Sequence, residues 1–336
     1  MTDIRYAVIG YGLAGSTFHA PLIATTPGAQ LSVVVARSPE TAAAARERYP
    51  WIQVVSDAAE LPGLVDVAVV ATPNDTHAAV ATGLLESGIA AVVDKPLAST
   101  SAAAQALVDL SDRTGTPLTC HQNRRWDGDY LTVRALDLGR IHRFESRFER
   151  WRPVVKQSWK EEPGPGAGVL WDLGPHVIDQ ALHLLGPAVS VSGGVQTVRA
   201  DARVPDEAFV RIVHDGGAES HLSVSLVAAA PGPRFRVLGT TGAYVKQGLD
   251  PQEDALRAGQ VPGPGWGTEP ESDWGRLSTG DPAVIEPVPT LPGDYPEFYR
   301  LLTQALRDGG PMPVDPRDSV ATLRIIEEVS GEIGTA

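Results

Sequence analysis

The chain predicts an α/β fold: an N-terminal Rossmann-type doubly wound parallel sheet, followed by a C-terminal α/β domain with an open, largely antiparallel sheet. Three observations carry this reading. Residues 1–121 alternate short apolar runs with longer Ala-rich helical stretches. Those runs are apolar almost throughout, as in VDVAVVA (Val65–Ala71), which suits strands covered by helices on both faces. Beyond residue 121, strand-like runs follow one another without intervening helices, the mark of antiparallel pairing.

In the first part, strands are expected at Ile4–Ile9, Leu31–Ala36, Ile52–Val55, Val65–Ala71, Ala90–Val93 and Pro117–His121. Helices are expected at Leu13–Ala24, Pro39–Arg48, Thr76–Ser87 and Ser101–Arg113, the last two ending near Gly88 and Gly115. In the second part, a helix at Asp127–Leu138 precedes an alternating strand at His142–Arg152. A Gly/Pro-rich loop at Lys160–Gly168 leads into a helix at Val169–Leu185, and four or five strands follow between residues 188 and 246. Leu249–Asp281 is rich in Gly and Pro and reads as an ordered irregular excursion, before two closing helices at Tyr295–Arg307 and Pro316–Glu332. The 336 residues suit two domains at about 100–200 residues each, and the change of pattern sets them at 1–121 and 122–336.

Bulk composition narrows the function. Hydrophobic residues at 43% and charged residues at 21% are ordinary for a globular protein, and no apolar run reaches the roughly 18–20 residues needed to span a bilayer. Met1–Arg5 passes straight into a strand-like run, so no secretory leader is expected. The single cysteine, Cys120, excludes an intrachain disulfide framework and suits a reducing, cytoplasmic setting. A net charge of -13 without a basic cluster repels phosphate backbones and argues against nucleic acid as partner.

The turn Gly10-Tyr11-Gly12-Leu13-Ala14-Gly15 follows a strand and opens a helix. A bare strand–helix turn needs one glycine, not three. In a dinucleotide cradle, Gly10 permits the tight turn, Gly12 lets the backbone approach a pyrophosphate, and Gly15 lets helix and strand pack closely. The helix start adds N–H donors and a partial positive charge. The second strand ends Val35-Ala36-Arg37-Ser38, without the carboxylate that an NAD-preferring site carries about 20 residues on. Arg37 can pair with a 2′-phosphate and Ser38 adds a hydroxyl, so NADP is favoured over NAD.

Two stretches hold candidate chemistry. Asp94-Lys95-Pro96 falls at the C-terminal end of the fifth strand, the edge where ligands bind in open α/β sheets, and the following proline restricts Lys95 to extended backbone. An ammonium there can stabilise negative charge developing on a substrate oxygen. In the helix Val169–Leu185, at about 100° per residue, Asp172, His176, Asp179 and His183 share one face. Oxidising an alcohol needs a base for the hydroxyl proton, a role suited to His176, with a carboxylate one turn away to orient it; His183 reads as a structural histidine. The same arc has metal-ligand spacing, but no cysteine or third convergent cluster accompanies it, so no metal is expected.

Taken together, Gly10–Gly15, Ala71-Thr72-Pro73-Asn74 with His77, Asp94-Lys95-Pro96, Asn123-Arg124-Arg125-Trp126 and Asp172-x-x-x-His176 resemble the Gfo/Idh/MocA family of oxidoreductases. Within it, the chain most resembles the NADP-preferring scyllo-inositol 2-dehydrogenase-like branch. The resemblance implies a dinucleotide-binding Rossmann domain and a substrate-binding domain whose open sheet face often mediates homo-oligomerisation as a dimer or tetramer. It implies Lys95, Asp172 and His176 as the catalytic and substrate-contacting set, and Thr72, Pro73, Asn74 and His77 along the adenosine and ribose side. Asp94 and Asn123 would lie by the cofactor, with Asn123 near the nicotinamide, and the Lys95–Pro96 peptide would be cis. Two departures stand out: Asp94 where relatives often have Glu, and GPGAGVLWD (164–172) where they commonly have consecutive glycines. Among Trp126, Trp151, Trp159 and Trp171, only Trp159 lies in a polar loop, and it is the one expected to stack on a sugar ring. The activity implied is hydride exchange between a nicotinamide and a secondary hydroxyl or ketone of a sugar or cyclitol. The rival readings are a non-catalytic NADP- or sugar-sensing regulator, which would show a decayed catalytic set, and a dihydrodiol- or imine-type reductase.

Overall fold

Strand β1 (Ile4–Ile9) opens a six-stranded sheet completed by β2 (Ala29–Val35), β3 (Gln53–Val55), β4 (Val67–Val70), β5 (Ala90–Asp94) and β6 (Leu118–His121). The order is β3-β2-β1-β4-β5-β6 and every pairing is parallel. Burial explains the composition: Val67–Val70 is buried at every position, because helices cover both faces. In this computed structural model, residues 2–155, 161–164 and 166–331 are described.

The first helix begins with a π-helical turn, Ala14–His19, and continues as α1 (Ala20–Thr25). Helix α2 (Pro39–Arg48) is capped by Ser38, whose Oγ accepts from the Thr41 amide at 3.1 Å. Helix α3 (His77–Glu86) follows β4 after a short 3-10 turn, and α4 (Ser101–Thr114) ends on Gly115 at φ 70°. The chain forms two compact units. The one holding this sheet comprises Met1–Trp126, Gln252–Trp266 and Asp294–Val320.

The second unit comprises Asp127–Pro251, Gly267–Gly293 and Ala321–Ala336. Its elements are α5 (Gly128–Ala135), β7 (Ile141–Glu149), α6 (Val169–Leu185), β8 (Ala188–Gln196), β9 (Glu207–His214), β10 (Glu219–Ser225), β11 (Phe235–Gly239) and β12 (Gly242–Lys246), with β13 (Gly275–Thr279) and β14 (Val284–Val288). The eight strands run β14-β13-β12-β11-β7-β10-β9-β8; only β7 and β10 pair in parallel. Here burial alternates: in β9, Ala208, Val210 and Ile212 are buried, whereas Glu207 and Phe209 are exposed.

One expectation is corrected. Leu249–Asp281 is not an irregular excursion: it contains the short helix α7 (Gln252–Arg257) and strand β13, which forms a hairpin with β14. Pro287 hid β14; the strand sits at the sheet edge, where a missing N–H is tolerated. Helices α8 (Tyr295–Asp308) and α9 (Pro316–Ser330) close the described chain.

Candidate active site

Two of the three glycines of the turn are demanded by backbone and packing. Gly10 lies at φ +88°, and a Cβ there would meet the Ala71 carbonyl oxygen at 2.7 Å. A Cβ on Gly15 would lie 2.0 Å from the Gly10 oxygen and 3.0 Å from Val8, so no side chain fits between helix and strand. Gly12 is different. Its φ is ordinary and nothing lies within 4 Å of a Cβ built on it, so neither backbone strain nor protein packing demands glycine there. A glycine whose Cβ would project into open space at a helix start fits a cradle that a pyrophosphate approaches.

The carboxyl edge of this sheet gathers most of the expected cofactor residues. Arg37 and Ser38 follow β2, both exposed, with the Ser38 hydroxyl engaged by Thr41 as the cap of α2. Thr72, Pro73 and Asn74 follow β4. Asp94 ends β5 and pairs in register with His121 at the end of β6, and Asn123 stands half-buried in the 3-10 turn after it. Lys95 is half-buried, and the Lys95–Pro96 peptide is cis, as the resemblance implied. His77 is buried, with Nδ1 2.8 Å from the Pro96 oxygen and Nε2 2.9 Å from the Thr72 oxygen. Its ring therefore acts on the edge through the two turns it touches.

Beneath Lys95 lies a group that the sequence reading did not assemble. Asp94 Oδ1 accepts the Lys95 amide at 2.9 Å and faces His19 Nε2 and His121 Nδ1, each at 3.8 Å. The two imidazole centroids are 4.5 Å apart, and Tyr299 Oη lies 2.6 Å from His19 Nδ1. Burial and the neighbouring His19 ring push His121 down to about 4, so it is neutral near pH 7. Burial alone would raise the Asp94 carboxyl, but His121 and His19 outweigh it and hold Asp94 well below the usual carboxylate range. Burial, with Tyr6 and Asp94 nearby, holds the Tyr299 phenol well above its ordinary value, so it stays protonated. The His121–Asp94 neighbourhood follows from strand order; Tyr299, on α8, had no sequence signal tying it to His19.

In the second unit, α6 carries Asp172 and His176. Twelve of its residues are buried, on nearly every side of the helix, including Trp171, Val177 and Ile178. Arg234 fixes its rotation: the guanidinium donates to Gln180 Oε1 at 2.7 Å and to Ser146 Oγ at 2.6 Å, and lies 4.1 Å over the Phe235 ring. Tyr130 Oη donates to the Gln180 carbonyl at 3.0 Å and lies 2.8 Å from His183 Nδ1. His183 thus has a structural partner. His176 is 7% exposed and stacks on Phe148 at 6.3 Å, with Asp172 half-buried one turn before it. Lys95 belongs to the first unit, and Asp172 and His176 to the second. Trp159 lies outside the described residues.

A 3-2-1-4-5-6 parallel sheet with a glycine turn of this kind defines a dinucleotide-binding oxidoreductase, and comparison with known proteins gives the same class. Residues 4–122 match the family model described as oxidoreductase family, NAD-binding Rossmann fold, and residues 132–245 match the GFO/IDH/MocA C-terminal domain. The chain belongs to the GFO/IDH/MocA family of oxidoreductases. It is 40% identical to the uncharacterized oxidoreductase YdgJ of Escherichia coli, over 97% of this chain and 95% of that one. It is 32% identical to the NADP(+)-dependent scyllo-inositol 2-dehydrogenase IolW of Bacillus subtilis, over 96% of this chain and 92% of that one. The solved structure of the oxidoreductase yvaA from Bacillus subtilis superposes with a TM-score of 0.93 at 32% identity, covering 98% of this chain and 97% of that one. No helix among the described residues is long and apolar enough to cross a membrane.

Proposed function

We propose that this protein is an NADP-preferring dehydrogenase acting on a secondary hydroxyl, or the matching ketone, of a sugar or inositol-like cyclitol. The observation that carries the reading is the intact set Lys95, Asp172 and His176, in a chain that aligns nearly end to end with an NADP(+)-dependent scyllo-inositol 2-dehydrogenase. Gly10, Gly12, Leu13, Ala14 and Gly15 would hold the pyrophosphate, Arg37 and Ser38 the 2′-phosphate, and Thr72, Pro73 and Asn74 the adenosine ribose side. Asn123 would meet the nicotinamide amide. When bound, the nicotinamide supplies the hydride donor or acceptor.

His176 takes the hydroxyl proton during oxidation and returns it during reduction. Asp172, one turn away, orients the imidazole, and the Lys95 ammonium stabilises charge on the substrate oxygen. Asp172 and His176 share one helical face, so a single ring hydroxyl can meet both. We further propose a cytoplasmic homo-oligomer joined through the outer face of the eight-stranded sheet. Support comes from Phe209, 43% exposed there, among paired charges such as Arg211–Glu219 and Arg236–Glu145.

The test is a turnover screen with NADP and with NAD against inositols, aldoses and sugar acids, read as reduced-nicotinamide absorbance. NADP-linked oxidation of a cyclitol or sugar supports the reading. Binding of NADP without turnover of any polyol would favour the regulator instead.

A further inference from the structure

The group under Lys95 packs four polar side chains around one carboxylate oxygen. It contains one ionised carboxylate, the neutral His121 imidazole, the His19 imidazole and a phenol, all buried except for part of Asp94. If the Tyr299 hydroxyl donates to His19 Nδ1, the His19 proton sits on Nε2, facing Asp94. The rest of the surroundings is aromatic: Phe298 stands edge-on to His121 at 4.7 Å, and Tyr6 hydrogen-bonds to Thr303 rather than to this group. A buried carboxylate is costly unless its acceptors are used. Here Asp94 accepts a short hydrogen bond from the Lys95 amide, at 2.9 Å.

Two imidazoles and a carboxylate also satisfy the bare donor requirement for a divalent cation. The geometry argues for a different use. The oxygen facing both imidazoles already accepts the Lys95 amide, and 3.8 Å from each nitrogen exceeds the ~3.4 Å edge of a tetrahedral site with bonds near 2.1 Å.

We propose that Asp94 is a positioning residue for Lys95, and that His19, His121 and Tyr299 form the buried seat that fixes its carboxylate. This inference rests on the role of Lys95 given under Proposed function. Asp94 fixes the peptide from which the ammonium projects. The imidazoles aim the carboxylate, and Tyr299, brought by α8, sets the His19 ring. Small displacements matter because a misplacement of about 1 Å can lower a rate on the order of 100-fold.

A double-mutant cycle on the full-length enzyme tests this, with NADP and the polyol that the turnover screen identifies. Asp94→Ala should lower kcat roughly 30-fold, leave the NADPH dissociation constant within about threefold, and add nothing in a Lys95→Met background. Hydrogen exchange of the unliganded protein gives a readout independent of turnover: the Lys95 amide should exchange at least ~10-fold faster in Asp94→Ala, with the rest of the sheet unchanged. Tyr299→Phe, which removes only a hydroxyl, should lower kcat by about threefold with the same non-additivity. Multiplicative losses in the double variant, or an unchanged Lys95 amide, overturn the inference while the role of Lys95 stands. Full turnover in Lys95→Met overturns that role and the inference with it. One equivalent of zinc in the purified protein, lost in Asp94→Ala, would show a metal centre instead.

Discussion

The two sheets solve opposite problems. In the six-stranded parallel sheet both faces are covered, and the candidate cofactor residues gather at its carboxyl edge, at or just beyond the strand ends. In the eight-stranded sheet one face packs on α6 and the other is open, so burial alternates along strands such as β9. The first region carries its candidate residues on turns held by glycines and a histidine. The second carries them on a helix packed against an arginine. Turn chemistry should tolerate no added volume, whereas helix chemistry should depend on what holds the helix in rotation.

Substitutions can break or sharpen this contrast, beginning with the largest effect. His176→Ala should reduce turnover by about 10²–10⁴ with NADP affinity intact; steady-state kinetics beside a fluorescence titration checks both. For stability, Phe144→Ala, fully buried in the second sheet, should cost about 3–5 kcal/mol in a urea titration. Phe209→Ala on the open face should change stability by no more than ~0.5 kcal/mol, while weakening self-association seen by sedimentation. Within the first region, Gly15→Ala should lower both stability, by about 1–3 kcal/mol, and NADP affinity, since its Cβ meets the Gly10 oxygen at 2.0 Å. Gly12→Ala should leave the melting temperature unchanged and lower affinity alone. Arg37→Ala should lower the NADP-to-NAD preference by roughly tenfold, about 1.4 kcal/mol.

Acid adds a milder test. Burial alone would raise the Asp206 carboxyl, but hydrogen bonds from Arg199 and two backbone amides outweigh it and lower it from 3.8. Because the folded value is the lower one, this carboxylate stabilises the fold above about pH 4 and ceases to do so as pH falls further. Asp206→Asn should flatten that part of a stability-versus-pH curve.

What the sequence discloses follows from which forces are local. The six parallel strands were legible because two-sided burial makes each one apolar throughout, and Val169–Leu185 was legible because its apolar stripe repeats at helical spacing. Strands β13 and β14 were not, since an exposed edge hairpin with a proline imposes little pattern. The glycine turn could be read from spacing. The seat of Asp94 could not, because His19, Asp94, His121 and Tyr299 lie on four elements across 280 residues. Only the strand order brings Asp94 and His121 together, and no periodicity encodes strand order.

His77 leaves a last consequence. A single imidazole lies between the Thr72 oxygen just after β4 and the Pro96 oxygen of the cis peptide, within hydrogen-bonding distance of each. The turn at Thr72–Asn74 and the turn that carries Lys95 are therefore packed on one shared side chain. A change that displaces one of these turns would press on the other through this ring.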